Sequence, residues 1–249
     1  MARTDFTSPR LFIDAPLAEG ATLTLAPEQA NYLINVLRLR DGAQILVFNG
    51  RDGEFSTTLT QPSRKSASLA VGARLRPQET AADLDYLFAP LKHARLDYMA
   101  QKAVEMGARR LRPVMTRRTQ ASRINLDRLR ANAIEAAEQC GVIWIPEIAP
   151  DIALDKVLSE WPSDRLLIFC DEDAPLADPI EALSSVAARS QAIALLIGPE
   201  GGFDTAERDA ILRLPNVLRL SLGPRILRAD TAAVAALALI QARLGDWRG

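Results

Sequence analysis

Ala192-Ile-Ala-Leu-Leu-Ile-Gly-Pro-Glu-Gly-Gly-Phe203 is the stretch on which the reading of the fold turns. Its first half, through Ile197, is an unbroken apolar run, the pattern of a strand buried on both faces of a parallel sheet. Glycine and proline then turn the chain at once. Gly198, Gly201 and Gly202 permit close backbone approach and positive φ, and Pro199 stiffens the bend. Asp204-Thr-Ala-Glu207 follows with the spacing of a capping box, which fixes the start of a helix. By itself the segment is a tight strand-to-helix turn.

Outward from it, the same alternation repeats. Leu166-Leu-Ile-Phe-Cys170 is a second continuous apolar run, and Val217–Ser221 a further strand. Upstream, a strand at Leu84–Ala89 leads to a helix over Arg95–Met106 that stops at Gly107. A strand at Arg110–Val114 then leads to a helix over Leu126–Cys140. A last helix, Thr231–Leu244, is expected to be capped by Gly245. Strands alternating with helices specify an α/β domain. Residues 1–75 read differently, as short strands at Arg10–Ile13, Thr22–Leu25, Gln44–Phe48, Glu54–Leu59 and Ala67–Val71, divided by Asp-Gly and Asn-Gly turns. One helix, Pro27–Leu37, interrupts them. Several short strands with one helix suggest a small barrel, and Pro77-Gln-Glu-Thr-Ala-Ala82 reads as a linker. The expected organisation is therefore a β-barrel over 1–76 and an α/β domain over 77–249.

Composition narrows the function. No apolar run approaches the roughly 20 residues of a membrane-spanning helix; the longest, Ala232–Ile240, is far shorter. The Met1–Phe6 segment lacks the apolar core of a secretory signal, so a cytoplasmic protein is expected. Cys140 and Cys170 form neither a metal spacing nor a disulfide framework. No two glycines are separated by one residue, which excludes a dinucleotide-binding G-x-G-x-x-G. A phosphate loop, an H-E-x-x-H zinc motif and a G-x-S-x-G nucleophile elbow are absent too, and the one histidine, His93, reads as structural. Net charge is −1. Residues 88–130, however, carry 11 Lys and Arg against 3 Asp and Glu, whereas residues 131–190 carry 3 against 12. A basic stretch of this kind is the footprint of a phosphate-bearing partner or a solvated helical face; charge alone leaves both open.

Ligands of open α/β sheets bind beyond the carboxyl ends of the strands. Besides Gly198–Phe203, two loops qualify. Leu222-Gly-Pro-Arg-Ile-Leu-Arg-Ala-Asp-Thr231 precedes the Ala-rich last helix, and Asp230 is placed to N-cap it. Arg228 opposes the dipole of that helix, which points to an anionic partner. Asp171-Glu-Asp-Ala-Pro175, after the second apolar run, reads as a solvated acidic loop rather than a metal site.

Gly198-Pro-Glu-Gly-Gly-Phe203 and Leu220-Ser-Leu-Gly-Pro-Arg-Ile-Leu-Arg-Ala-Asp-Thr-Ala232, in this order and spacing, resemble the signature loops of the bacterial small-subunit ribosomal RNA uridine N3-methyltransferases. Pro9-Arg-Leu-Phe12, Tyr32–Arg38 with Arg40-Asp-Gly42, and Phe48–Gly53 resemble that family's N-terminal barrel. Lys92, Gln101–Gly107, and Ala136–Gly141 with Pro146 resemble its catalytic domain. Two positions depart from it. The family usually has Thr-Glu where this chain has Ala229-Asp230, and commonly Arg where it has Val142.

The resemblance implies an N-terminal PUA-like β-barrel and a trefoil-knotted SPOUT α/β domain, acting as a cytoplasmic homodimer on N3 of a uridine in 16S ribosomal RNA within the small ribosomal subunit. It implies S-adenosyl-L-methionine as cofactor and no metal. Ile197, Gly198, Pro199, Glu200, Gly201, Leu220, Leu222, Gly223, Ile226 and Leu227 are the expected cofactor contacts. Arg228 is expected to stabilise the uracil imide anion, with Glu200 or Asp230 accepting the proton or positioning the base. Arg10, Arg38, Arg40, Arg117, Arg118 and Arg123 are the expected RNA contacts. Methylation at another RNA position, such as a ribose 2′-OH, or a non-catalytic role in ribosome assembly stands as the alternative.

Overall fold

The turn-delimited strands of the N-terminal region pair into one sheet in the computed structural model, which describes residues 7–63, 66–92, 94–120, 123–187 and 192–248. The readings of Met1–Phe6 and His93 lie outside the described residues. The chain divides into two compact units, Met1–Thr80 with Ala137–Ile145, and Ala81–Ala136 with Pro146–Gly249. A linear boundary after residue 76 leaves 137–145 with the second unit, yet hydrogen bonds attach this segment to the first. The Phe12 amide donates to Glu138 (2.8 Å), Arg76 to the Gly141 carbonyl (2.9 Å) and Gln78 to that of Ile143 (3.3 Å).

In the first unit, β1 (Arg10–Phe12), β2 (Thr22–Thr24), β3 (Gln44–Phe48), β4 (Glu54–Ser63) and β5 (Ser66–Arg76) form a five-stranded sheet in the order β1-β3-β4-β5-β2. Only β1 and β3 run parallel. Leu11 of one edge strand and Leu23 of the other belong to one apolar cluster with Ile45, Leu59 and Leu69, so the sheet wraps round its core as a barrel does. The helix expected over 27–37 is α-helical only through α1 (Pro27–Asn31) and widens into a π-turn over Tyr32–Val36. Arg38 then takes a positive φ of 56°, ending the helix early.

Arg10 corrects the reading of an RNA contact. Its side chain is 2% exposed and its Nε lies 2.9 Å from Oε1 of Glu54, itself 2% exposed. A guanidinium held inside the barrel by a buried carboxylate presents no charge to a phosphate. Arg38 and Arg40 are exposed.

The second unit is a parallel sheet of β6 (Leu84–Phe88), β7 (Arg110–Met115), β8 (Glu147–Ile148), β9 (Ile152–Ala153), β10 (Leu166–Cys170), β11 (Ile193–Ile197) and β12 (Val217–Leu220). Its order is β12-β10-β11-β6-β7-β8, with β9 also on β7. The helices are α2 (Ala94–Glu105), α3 (Leu126–Cys140), α4 (Leu154–Ser159), α5 (Pro179–Val186), α6 (Thr205–Leu212) and α7 (Ala229–Arg243). β11 sits between β10 and β6 and every residue of it is buried, the reason its sequence is uniformly apolar. No helix among the described residues is long and apolar enough to cross a membrane.

α7 corrects two expectations. It begins at Ala229, with Arg228 in the N-cap position, so Asp230 falls inside the first turn and accepts from the Thr231 amide (2.8 Å) instead of capping. At the other end Leu244 is the cap residue. Gly245 is needed because the side chain of Gln241 occupies the space a Cβ would fill. Gln241 is 1% exposed; its Nε2 donates to the Met106 carbonyl (2.6 Å) and its Oε1 accepts from the Asp246 amide (3.1 Å). α7 is thereby fastened to the end of α2, against which it packs.

The amino ends of the strands are closed by charge. Asp85, 4% exposed, lies 3.1 Å from Arg110 and 3.5 Å from Arg165, while Asp83 pairs with Arg109 (2.7 Å) and Arg165 (2.8 Å). The carboxyl ends are left to form a site.

Arg10→Ala leaves the buried Glu54 with the longer pair to Arg76 (3.7 Å) and is expected to cost up to about 3 kcal/mol, read as lost amide-exchange protection in β1 and β3 of the whole chain. Arg38→Ala is expected to stay within about 0.5 kcal/mol by the same measurement.

Candidate functional site

The carboxyl ends of β10, β11 and β12 open into a cavity of about 650 Å³. Each strand contributes the loop that follows it. After β11 the capping box forms as its spacing requires: Asp204 accepts from the Glu207 amide (2.7 Å) and Glu207 from that of Asp204 (3.1 Å). This anchors the far end of the glycine loop. At its near end a Cβ on Gly198 would come within 2.5 Å of the Phe203 ring, which packs edge-on against Phe169 at 5.2 Å. Gly202 at φ 67° and Gly223 at φ 96° hold backbone conformations that side-chain-bearing residues rarely adopt.

Residues 197–200 line the cavity, as do Leu220, Leu222, Gly223, Ile226 and Leu227. Gly201 does not; its carbonyl accepts from Arg118 (2.7 Å), a cation expected to meet RNA that here braces the loop. Ile226, 98% exposed, is the bare tip of the second loop.

The acidic loop after β10 departs from the reading of a solvated run. Asp171 is buried, accepting from Arg208 (3.1 Å), Arg219 (2.8 Å) and the Asp173 amide (3.1 Å). Burial by itself raises such a carboxyl, but the bonds from Arg208, the Asp173 amide and Arg219 outweigh it and hold Asp171 below the usual carboxylate range. Glu172 and Asp173 are exposed and line the cavity. Among the described residues no three His, Cys, Asp or Glu side chains group as metal ligands. Cys170 also lines the cavity, and desolvation pushes its thiol up to about 12.

The candidate catalytic residues sit differently. Arg228 lines the cavity with an exposed guanidinium that has no partner among the described residues, at a helix start where the dipole disfavours a cation. Glu200 also lines the cavity, and Asp230 stands behind it in the first turn of α7. Both face Arg95, a residue the sequence reading did not single out. The available signal was its place in the basic segment, in the first turn of a helix that follows a buried strand.

That basic segment is largely neutralised within the fold. Arg109 and Arg110 pair with Asp83 and Asp85, Arg117 with Asp204 (2.6 Å), and Arg128 with Asp97 (2.5 Å). Bonding to Asp204 raises Arg117 above the usual arginine range. Arg123 is exposed and, with Lys92, Arg112 and Arg130, has no ion-pair partner among the described residues.

The comparisons with known proteins agree with this geometry. The RNA methyltransferase domain family matches residues 78–241, and the RNA methyltransferase PUA domain matches residues 25–71. Ribosomal RNA small subunit methyltransferase E of Rickettsia conorii is 30% identical over 93% of this chain and 94% of its own length. Its namesake in Bacillus subtilis is 26% identical over 94% of each. Among solved structures, ribosomal RNA small subunit methyltransferase E of Neisseria gonorrhoeae, bound to S-adenosyl methionine, has a TM-score of 0.82 at 27% identity, over 94% of this chain and 97% of that one. A methyltransferase of Legionella pneumophila with the same cofactor bound has a TM-score of 0.80 at 30% identity, over 96% and 99%. The chain belongs to the RNA methyltransferase family, as a SPOUT-type α/β domain preceded by a PUA-like one.

Proposed function

We propose that this protein transfers the methyl group of S-adenosylmethionine to N3 of a uridine in small-subunit (16S) ribosomal RNA. The observation that carries the reading is the cavity at the carboxyl ends of β10, β11 and β12, with the unpaired guanidinium of Arg228 on its wall. The likeness to ribosomal RNA small subunit methyltransferases along more than nine-tenths of the chain supports the substrate.

The cavity suits this cofactor. Its volume, about 650 Å³, lies in the usual range for small-molecule sites. Leu220, Leu222 and Leu227 supply apolar wall for an adenine ring, and Glu172, Asp173 and Glu200 set carboxylates where a sulfonium and an ammonium are to be held. Bound there, the cofactor supplies an electrophilic methyl group.

The remaining steps fall to the chain. N3 of neutral uracil bears a proton, so transfer requires its removal and stabilisation of the imide anion left behind. Arg228 is assigned the second task, since a preorganised cation in a site that excludes water contributes on the order of several kcal/mol. Glu200 and Asp230 are the candidates for receiving or directing the proton. The glycine and Leu220–Arg228 loops orient the two reactants, and positioning supplies much of the rest.

RNA contact is assigned to Arg38 and Arg40 on the barrel, which we take as residues 1–76, and to Arg117, Arg118 and Arg123 on the methyltransferase domain, 77–249. Phosphate contacts of this kind set register and leave base choice to the pocket. A homodimer working in the cytoplasm on the small subunit completes the proposal.

The deciding experiment incubates the protein with unmodified ribosomal RNA, free and in assembled small subunits, and maps the methyl group by mass spectrometry. A methyl on uridine N3 is expected. A methyl on a ribose oxygen, or cofactor binding with no transfer, would falsify the reading. Arg228→Ala is expected to lower kcat by about 10²–10³ while leaving cofactor affinity nearly unchanged; transfer at the normal rate removes Arg228 from the chemistry. RNA affinity should fall with salt at a log–log slope of about −0.7 to −0.9 per phosphate contact. Arg123→Ala should flatten that slope by about one contact, and an unaltered slope takes Arg123 out of the interface.

A further inference from the structure

Two carboxylates from separate segments converge on one cation. Glu200 belongs to the loop after β11, and Asp230 to the first turn of α7. The guanidinium of Arg95, in the first turn of α2, pairs with Glu200 and stands 3.8 Å from Oδ2 of Asp230. Among the described residues neither carboxylate has another ion-pair partner. Arg95 and Glu200 both line the cavity. Asp230 is 17% exposed and Arg95 31%, so this side of the triad is partly withdrawn from solvent, where charge pairing is stronger than at an open surface, while Glu200 at 46% is exposed.

Local propensity does not account for an arginine there. A cation in the first helical turn opposes the macrodipole of α2. Two carboxylates offset that cost, and in doing so they connect three pieces of chain that, among the described residues, share no backbone hydrogen bonds of their own at this point. The glycine-rich loop needs such a fastening most. Its residues lose much conformational freedom on ordering; Arg118 on the Gly201 carbonyl and the capping box at its far end are further braces on it. Without Arg95, Glu200 and Asp230 are two like charges facing one space, and no other ion pair among the described residues sets their separation.

We propose that Arg95 is a positioning residue for methyl transfer: it ties the glycine loop to the first turn of α7 and aims Glu200 and Asp230 at the reacting base. The triad also keeps a single net negative charge where two would otherwise confront an incoming polyanion. This inference rests on reading the cavity as the methyl-transfer site.

The test uses the full chain with S-adenosylmethionine and unmodified ribosomal RNA, comparing Arg95→Ala, Arg95→Lys, Glu200→Gln, Asp230→Asn and the combination of Arg95→Ala with both carboxylate substitutions. Single-turnover rate, calorimetric cofactor affinity and melting temperature are measured for each. Arg95→Ala is expected to lose about a hundredfold in rate, the scale of a misplaced reacting group, with far smaller change in cofactor affinity. Arg95→Lys should recover part of the rate, since an ammonium keeps the charge but not the fork that reaches two partners. The triple variant should be no slower than the worst of its components, because the arginine acts through the carboxylates. A normal rate in Arg95→Ala overturns the proposal. So do losses that multiply in the triple variant, or a rate loss matched by equal losses of cofactor affinity and thermal stability. If the unaltered protein itself transfers no methyl group, the reading of the cavity fails and the proposal falls with it. An active parent with an unaffected Arg95→Ala sinks the proposal alone.

Discussion

The backbone pairing of β11 constrains everything around it. Flanked by β10 and β6, with every side chain buried, the strand has no free edge and no solvent face. The chain can change direction only at its ends, and buried backbone groups that lack partners are costly. At its carboxyl end the neighbouring strands end in loops as well, so the turns after β10, β11 and β12 crowd into one place. The cavity follows from the sheet order: these three strands are neighbours in space although two helices and many residues separate them in sequence.

Charge is distributed to match. At the amino ends of the strands Asp83 and Asp85 are closed off by Arg109, Arg110 and Arg165. At the carboxyl ends the arginines divide into braces and two that have no partner among the described residues. Arg118 and Arg95 hold the glycine loop, Arg208 and Arg219 hold Asp171, and Arg225 and Arg228 are left facing the cavity, Arg228 at the start of α7. An arginine that finds no carboxylate in so well-paired a neighbourhood stands out more than it does in the sequence, where it is one of 30 basic residues.

The long elements were legible because burial writes itself into sequence as period and length. Leu126–Cys140 is a helix of 15 residues and Ile193–Ile197 an apolar run that admits few other readings. β8, β9, α4 and α5 span two to eight residues, too short to display a period. The glycine loops were legible as turns and, by resemblance, as a site. What sequence could not convey was pairing across long separations. Arg10 looks like any surface arginine until Glu54, 44 residues on, is found beside it inside the barrel. Arg95 and Glu200 lie 105 residues apart. Asp230 was misread by two residues because the cap position is held by Arg228, whose side chain makes no capping bond to mark the boundary.

Cys170 ends β10 on the wall of the cavity, and desolvation pushes its thiol up to about 12. Thiolates are the softest nucleophiles a protein offers, and a soft nucleophile beside an activated methyl group is a competitor for it. Holding this sulfur as a thiol denies it that role. In the proposed reaction the wall then presents a small, mostly apolar side chain there and no competing nucleophile.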